Sequence, residues 1–145
     1  MKRYTHVITG FTIGVYTASS PLEAGVHGFI ASIGSMIPDL DLRFKHRKLL
    51  HNIFVPVVVW LLLYIFLGYL KLTMLIDKST LLLIGWISHV LLDALTIRGV
   101  YIAYPFSTRR FSLKLFKSDS LIGNAAISFI AILLLSLKVY GFLNQ

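Results

Sequence analysis

Apolar residues fall in long unbroken blocks, neither alternating nor confined to one helical face. Three blocks, 53–70, 81–97 and 121–137, approach the length of a spanning helix, since about 20 residues at about 1.5 Å each cross about 30 Å of hydrocarbon. Two earlier blocks, 7–19 and 24–37, are shorter and rich in Gly and Ala. At about 14 residues each would reach only about 21 Å. Ser19, Ser20, Pro21 and Leu22 join them, with Pro at a natural helix start. An antiparallel pair follows, its outer ends facing one side. Gly25, Gly28, Ser32 and Ser35 recur at three- to four-residue steps and predict a small-residue face for close backbone packing. The pattern predicts an all-α polytopic membrane protein, three long transmembrane helices after an N-terminal pair of short helices. No repeat or linker divides it, so residues 1–145 read as a single integral-membrane domain.

Composition agrees. The chain is 57% apolar and 14% charged, with mean hydropathy +0.79, whereas soluble domains carry about 25% charge. The absence of cysteine excludes disulfides and thiolate chemistry and leaves His, Asp, Glu and backbone as metal ligands. Lys2 and Arg3 precede an apolar stretch as in a signal peptide, but without a cleavage site leading into a soluble domain, so the segment reads as retained.

The net charge of +8 is unevenly spread. Lys2, Arg3, Arg43, Lys45, Arg47, Lys48, Arg98, Arg109, Arg110, Lys114 and Lys117 share one side, and Lys71, Lys78 and Lys138 the other. Eleven against three predicts a cytoplasmic N-terminus in the inner plasma membrane. The basic excess points to acidic lipid head groups, with no nucleic-acid partner expected.

Five ionisable residues, His6, Asp39, His51, His89 and Asp93, map to that same side, at helix ends or the adjoining loops. Imidazoles and carboxylates beside apolar helices are costly unless paired or metal-bound. His89 and Asp93 stand four apart on one helix and can face one metal, with Thr96 continuing the stripe. The plainer alternative is that the two only pair with each other. Pro38 ends the second short helix, and Asp39 and Asp41 follow, on one side if that segment is extended. His46, Arg47 and His51 lead into the first long helix, with Arg47 and His51 on a shared helical face. A cation there suits an anionic substrate. Lys45 and Lys48 read better as head-group contacts. Arg98 and Arg109 lie on a loop rich in hydroxyls and could clamp a phosphate, as could Arg110. His27 falls in the outer half and reads as packing; Asp77, Lys78 and Glu23 read as solvated turn charges.

Taken in order, His6, the Pro38-Asp39-Leu40-Asp41 step, His46-Arg47 with His51-Asn52, and the run from Gly85 to His89, Asp93, Thr96, Gly99, Val100 and Pro105 resemble the YdjM-like family of inner-membrane metal-dependent hydrolases. More distantly, His6, Asp39, His51 and His89 with Asp93 resemble the ordered ligands of zinc-dependent phospholipase C. That resemblance implies at most two metals bridged by Asp93, with His6 on one and Asp39, His51 and His89 on the other. The ligands of a third metal have no counterpart. Where some family members carry a Glu before the last helix, this chain offers Asp119 or Asn124. The N-terminal amine that serves as a ligand in secreted phospholipases is not carried over, since Met1 lies five residues before His6.

The expected activity is a phosphoester hydrolase using one or two divalent ions, zinc first and manganese second, on a lipid or small phosphoester at the cytoplasmic interface. His6, Asp39, His51, His89 and Asp93 are the expected ligands, Asp41 the base, and His46 and Arg47 the groups that steer and neutralise substrate. Thr96, Arg98 and Arg109 join Arg47 in holding it. Membrane lipids are the expected partners, and five helices of this length enclose little volume, which allows a lateral opening to lipid or a homo-oligomer seam. The rivals are a proton-coupled transporter or channel with a His89 and Asp93 relay, and a non-catalytic tether with a basic cytoplasmic face.

Overall fold

The computed structural model describes residues 1–44 and 49–144, with side chains for all of these except 41–44. The described residues form five α-helices and one 3-10 helix: α1 (Arg3–Tyr16), α2 (Pro21–Met36), the 3-10 helix (Ile37–Phe44), α3 (Phe54–Tyr69), α4 (Thr73–Leu95) and α5 (Leu121–Leu143). The chain is an all-α polytopic membrane protein. α4 and α5, at 23 residues each, are long and apolar enough to cross a bilayer. α3 is a weaker span than expected. It has 16 residues, about 24 Å, and begins only after Asn52, whose side-chain oxygen accepts the Val55 N–H at 2.7 Å.

Helix starts follow local chemistry. Ser20 accepts the Glu23 N–H and the Glu23 carboxylate accepts the Ser19 N–H, around Pro21 in the first turn of α2. α4 begins eight residues before the apolar block at 81, because the stretch from Thr73 to Thr80 holds no Gly or Pro to stop it. Asp77 and Lys78, expected in a turn, therefore lie within α4. α5 likewise continues past 137, with Lys138 over the Phe142 ring at 4.7 Å. The pair expected to be extended at Asp39 and Asp41 lies instead in the 3-10 helix, where residues two apart no longer share a side.

α1, α2 and α4 meet backbone to backbone. A Cβ on Gly85 would collide with the Ala31 carbonyl oxygen, one on Gly34 with the Leu82 carbonyl and one on Gly14 with the His27 carbonyl. Of the small residues singled out on α2, Gly28 packs on the Phe11 ring and Ser35 on Gly10, but Gly25 meets nothing. Its place in the seam is taken by Ala31 and Gly34, which continue the small-residue rows closer to the site.

α5 is held by polar contacts to α1: Thr5 donates to Asn124, Thr12 to the Ala131 carbonyl and Tyr16 to the Leu134 carbonyl. Elsewhere α5 exposes large side chains, as Ile122 and Phe129 show at 82% and 67%, a surface suited to lipid. The 96–120 loop straps the end of α4. Leu113 and Leu115 donate to the Ala94 and Leu95 carbonyls at 2.8 and 2.9 Å, satisfying two acceptors that a helix terminus leaves open.

Gly85→Ala should therefore destabilise the protein by about 1–3 kcal/mol, the usual cost of overpacking, and Gly25→Ala should not. Thermal melts in detergent check this; a Gly85→Ala melt equal to wild type would show that the α2–α4 seam is looser than described.

Candidate metal centre

His89 is the centre of the site. It projects from α4, fully buried, and its Nδ1 lies 2.7 Å from the Ser35 carbonyl oxygen of α2. A carbonyl only accepts, so Nδ1 carries the proton and Nε2 presents its lone pair. That nitrogen lies 3.6 Å from Asp93 Oδ2, one turn along α4, and 3.9 Å from Asp39 Oδ1 at the start of the 3-10 helix.

His6, one turn into α1, stacks face to face on His89, with ring centroids 3.6 Å apart and 12° between planes. Its Nε2 lies 3.2 Å from Asp93 Oδ1. His51 stands edge-on to His89 at 5.3 Å and directs Nε2 toward Asp93 Oδ2 at 3.9 Å. It lies on the irregular segment 49–53, not on a helix. Trp86 fixes that segment by donating its indole N–H to the Leu50 carbonyl at 2.8 Å, and the Ile53 N–H reaches the Ile102 carbonyl.

Asp93 thus turns one oxygen toward His6 and the other toward His89 and His51. Two groups could each hold a metal ion, His6 with His89 and Asp93, and Asp39 with His51 and His89; within each the ligand atoms lie within 4.8 Å of one another. Both draw on His89, which has only Nε2 to give. The donor set is nitrogen and oxygen alone, which suits zinc and other divalent first-row ions. Burial supports a fit: Nδ1 of His6 is buried without a hydrogen-bond partner, and Nε2 of His6 and of His89 are buried with only carboxylate oxygens beside them, at 3.2 and 3.6 Å. Such groups cost about 1–3 kcal/mol each when nothing pairs with them, and an ion would satisfy them.

Two cations border the carboxylates. The Met1 amino group pairs with Asp93, and Arg3 Nε lies 3.5 Å from Asp39 Oδ2. The contact of Arg3 was missed by the sequence reading, which counted it only as topogenic charge; its signal is the three-residue step to His6 on the same helix face. The Ser35 carbonyl was also missed, and a backbone group leaves no mark in sequence.

The remaining expected residues are distributed as follows. The side chain of Asp41, and His46 and Arg47 entirely, lie outside the described residues. Thr96 is buried below Asp93, its hydroxyl donating to the Asp93 carbonyl at 2.8 Å. Arg98 and Arg109 are exposed on the 96–120 loop. Arg110 donates to the Tyr101 hydroxyl. Asn124 is fully buried; it accepts from the Lys2 N–H and the Thr5 hydroxyl and donates to the Ser118 and Ser120 carbonyls. With both amide atoms so engaged it acts as a clasp between α1 and α5, while Asp119 is exposed. His27 contacts the Thr17 hydroxyl and Lys78 at the far end.

Residues 1–144 match the family model described as YdjM inner membrane protein. No curated protein matches the chain, and no solved structure does.

His89→Ala and Asp93→Ala should each abolish stoichiometric divalent metal in detergent-purified protein, while His27→Ala retains it. Mass-spectrometric metal content decides, and equal metal in all three would remove the centre.

Proposed function

The chain belongs to the YdjM family, and we propose that it is a membrane-embedded metal-dependent hydrolase acting on a phosphoester. The observation that carries this reading is Asp93, which turns one oxygen to His6 and the other to His51 and His89 within one cluster of nitrogen and oxygen donors. His6 would serve one ion, and Asp39, His51 and His89 a second, with Asp93 between them. Zinc is the first choice of metal and manganese the second. An ion bound there supplies Lewis acidity toward a phosphoryl oxygen and renders water acidic enough to attack near neutral pH.

The chain's own residues do the rest. The Ser35 carbonyl holds His89 in one tautomer and one orientation, as partners of metal-binding imidazoles do. Arg3 offsets the charge of Asp39. Asp41, immediately beyond the ligand Asp39, is the proposed base, and His46 and Arg47 steer the anion. Thr96 supports Asp93 from below, and Arg98 and Arg109 guide phosphate at the rim.

The excess of Lys and Arg in the inner-side segments of the sequence, eleven against three, supports a site at the cytoplasmic face of the inner membrane. A phosphate at head-group depth is already level with the site, which favours a membrane lipid phosphoester over a soluble one. A proton relay is disfavoured. Between His89 and His27, α2 and α4 touch backbone to backbone at Gly34, Gly85 and Ala31, which narrows any path along that seam among the described residues.

In mixed micelles the zinc- or manganese-loaded protein should release phosphorylated head group from a phospholipid panel. Chelation should stop this, metal return restore it, and Asp93→Asn abolish it. A fully metal-loaded protein inert toward every lipid and small phosphoester would sink the proposal. The chain lacks cysteine, so Lys117→Cys should react with impermeant maleimide only when the cytoplasmic face is opened; labelling of intact cells would reverse the orientation.

A further inference from the structure

α4 and α5 both lean on α1 but scarcely touch each other. α1 therefore forms the back wall of a cleft that opens sideways between them. Thr9 and Thr12 line it from α1, Leu92 and Leu95 from α4, and Ile130 and Leu134 from α5, around about 180 Å³. Leu92 adjoins Asp93 along the chain, and Thr9 lies one turn beyond His6, so one end of the cleft comes within about a helical turn of the metal-binding cluster. From there it extends about 10 Å toward the far side, as the seven-residue step from Ile127 to Leu134 gives at about 1.5 Å per residue.

The walls offer almost no polarity. The Thr12 hydroxyl is spent on the Ile8 and Ala131 carbonyls. The occupant must be apolar. Leu91, next to the lining residue Leu92, and Ile130 at the rim are 51% and 55% exposed, on helices long and apolar enough to cross the bilayer. What a bilayer presents to such an opening is hydrocarbon. At the site end, exposed Lys2 and Lys117 stand just before α1 and α5, suitably placed for an anionic head.

We infer that the cleft holds one acyl chain of a bilayer phospholipid, taken in sideways between α4 and α5 so that its phosphate lies against the His6 and Asp93 end. This rests on the hydrolase reading only for the fate of the head group; the chain-binding site stands on the helix arrangement. A single slot of this shape selects lipids by one chain and leaves the second in the membrane.

The test uses full-length protein in phosphatidylglycerol vesicles doped with phosphatidylglycerol bearing a diazirine on one acyl chain. After irradiation, label mapped by mass spectrometry should concentrate on Leu92, Leu95, Ile130 and Leu134 over Phe129 and Leu133, which are exposed on the opposite side of α5. Ile130→Trp should cut cleft labelling severalfold with metal content unchanged, and Leu133→Trp should not. Even labelling around α5 overturns the inference, as does protection of the cleft residues at every lipid dilution, which would assign the cleft to a second copy of the chain. Focused labelling on a protein that binds no metal and hydrolyses nothing would retain the lipid site and discard the hydrolase; hydrolysis with diffuse labelling would do the reverse.

Discussion

A single hydrogen bond from His89 Nδ1 to the Ser35 carbonyl, 2.7 Å long, organises the site. It determines which nitrogen of His89 faces Asp93 and Asp39, and it can form only where α2 and α4 touch through their backbones. Gly34 and Gly85 permit that approach, since any Cβ at either position would meet a carbonyl of the opposite helix. In lipid, where no hydrophobic force drives helices together, such contacts are a main source of association. The same small residues that hold the bundle together therefore also aim the imidazole. A loosened seam would disturb the stability and the chemistry of this protein together.

Around that bond the molecule gathers charge that neither a bilayer nor a packed core tolerates alone. Three imidazoles and two carboxylates converge, with Met1 and Arg3 against the carboxylates. The helices that bring them share the cost unequally. α4 supplies His89 and Asp93 from a helix end held by the 96–120 strap, and α1 supplies His6 from a helix end clasped by Asn124. His51 comes from irregular backbone, fixed by Trp86 and by the cap that Asn52 makes on α3. Each donor sits near a terminus, where a strap, a clasp or a cap replaces the rigidity of a helix interior.

Much of this was legible in the sequence, because its signals were covalently local or strongly periodic. The four-residue step from His89 to Asp93 is a helix-face signal, and the convergence of both with His6, Asp39 and His51 agrees with the shared side inferred from alternate loops. Boundaries were harder: hydropathy marked where α4 enters lipid at 81, but backbone propensity carries the helix back to Thr73. The extended reading of Asp39 and Asp41 failed because the 3-10 turn after Pro38 replaces alternation with a period of about three. Gly25 looked like part of the packing face by spacing alone, and only the helix crossing shows that the contact passes through Ala31 and Gly34 instead. The roles of Ser35 and Asn124 depend on partners 54 and 119–122 residues distant, beyond the reach of any local pattern.

Depth explains why this arrangement favours chemistry at a surface over passage through it. Asp93 lies two residues from the end of a 23-residue helix, so about 3 Å of axial rise separates it from the terminus. His6 lies three residues, about 4.5 Å, from the start of α1. A transport pathway needs polar groups at intervals across the hydrocarbon, yet the seam leading away from His89 is closed by backbone contact, and His27 at its far end is engaged by Thr17 and Lys78. The neighbouring cleft between α4 and α5 is lined mainly by Leu and Ile, which suits hydrocarbon better than ions. A donor cluster at interfacial depth, closed toward the membrane centre along α2 and open sideways along α5, suits a molecule whose reactive group is polar and whose body remains in the bilayer.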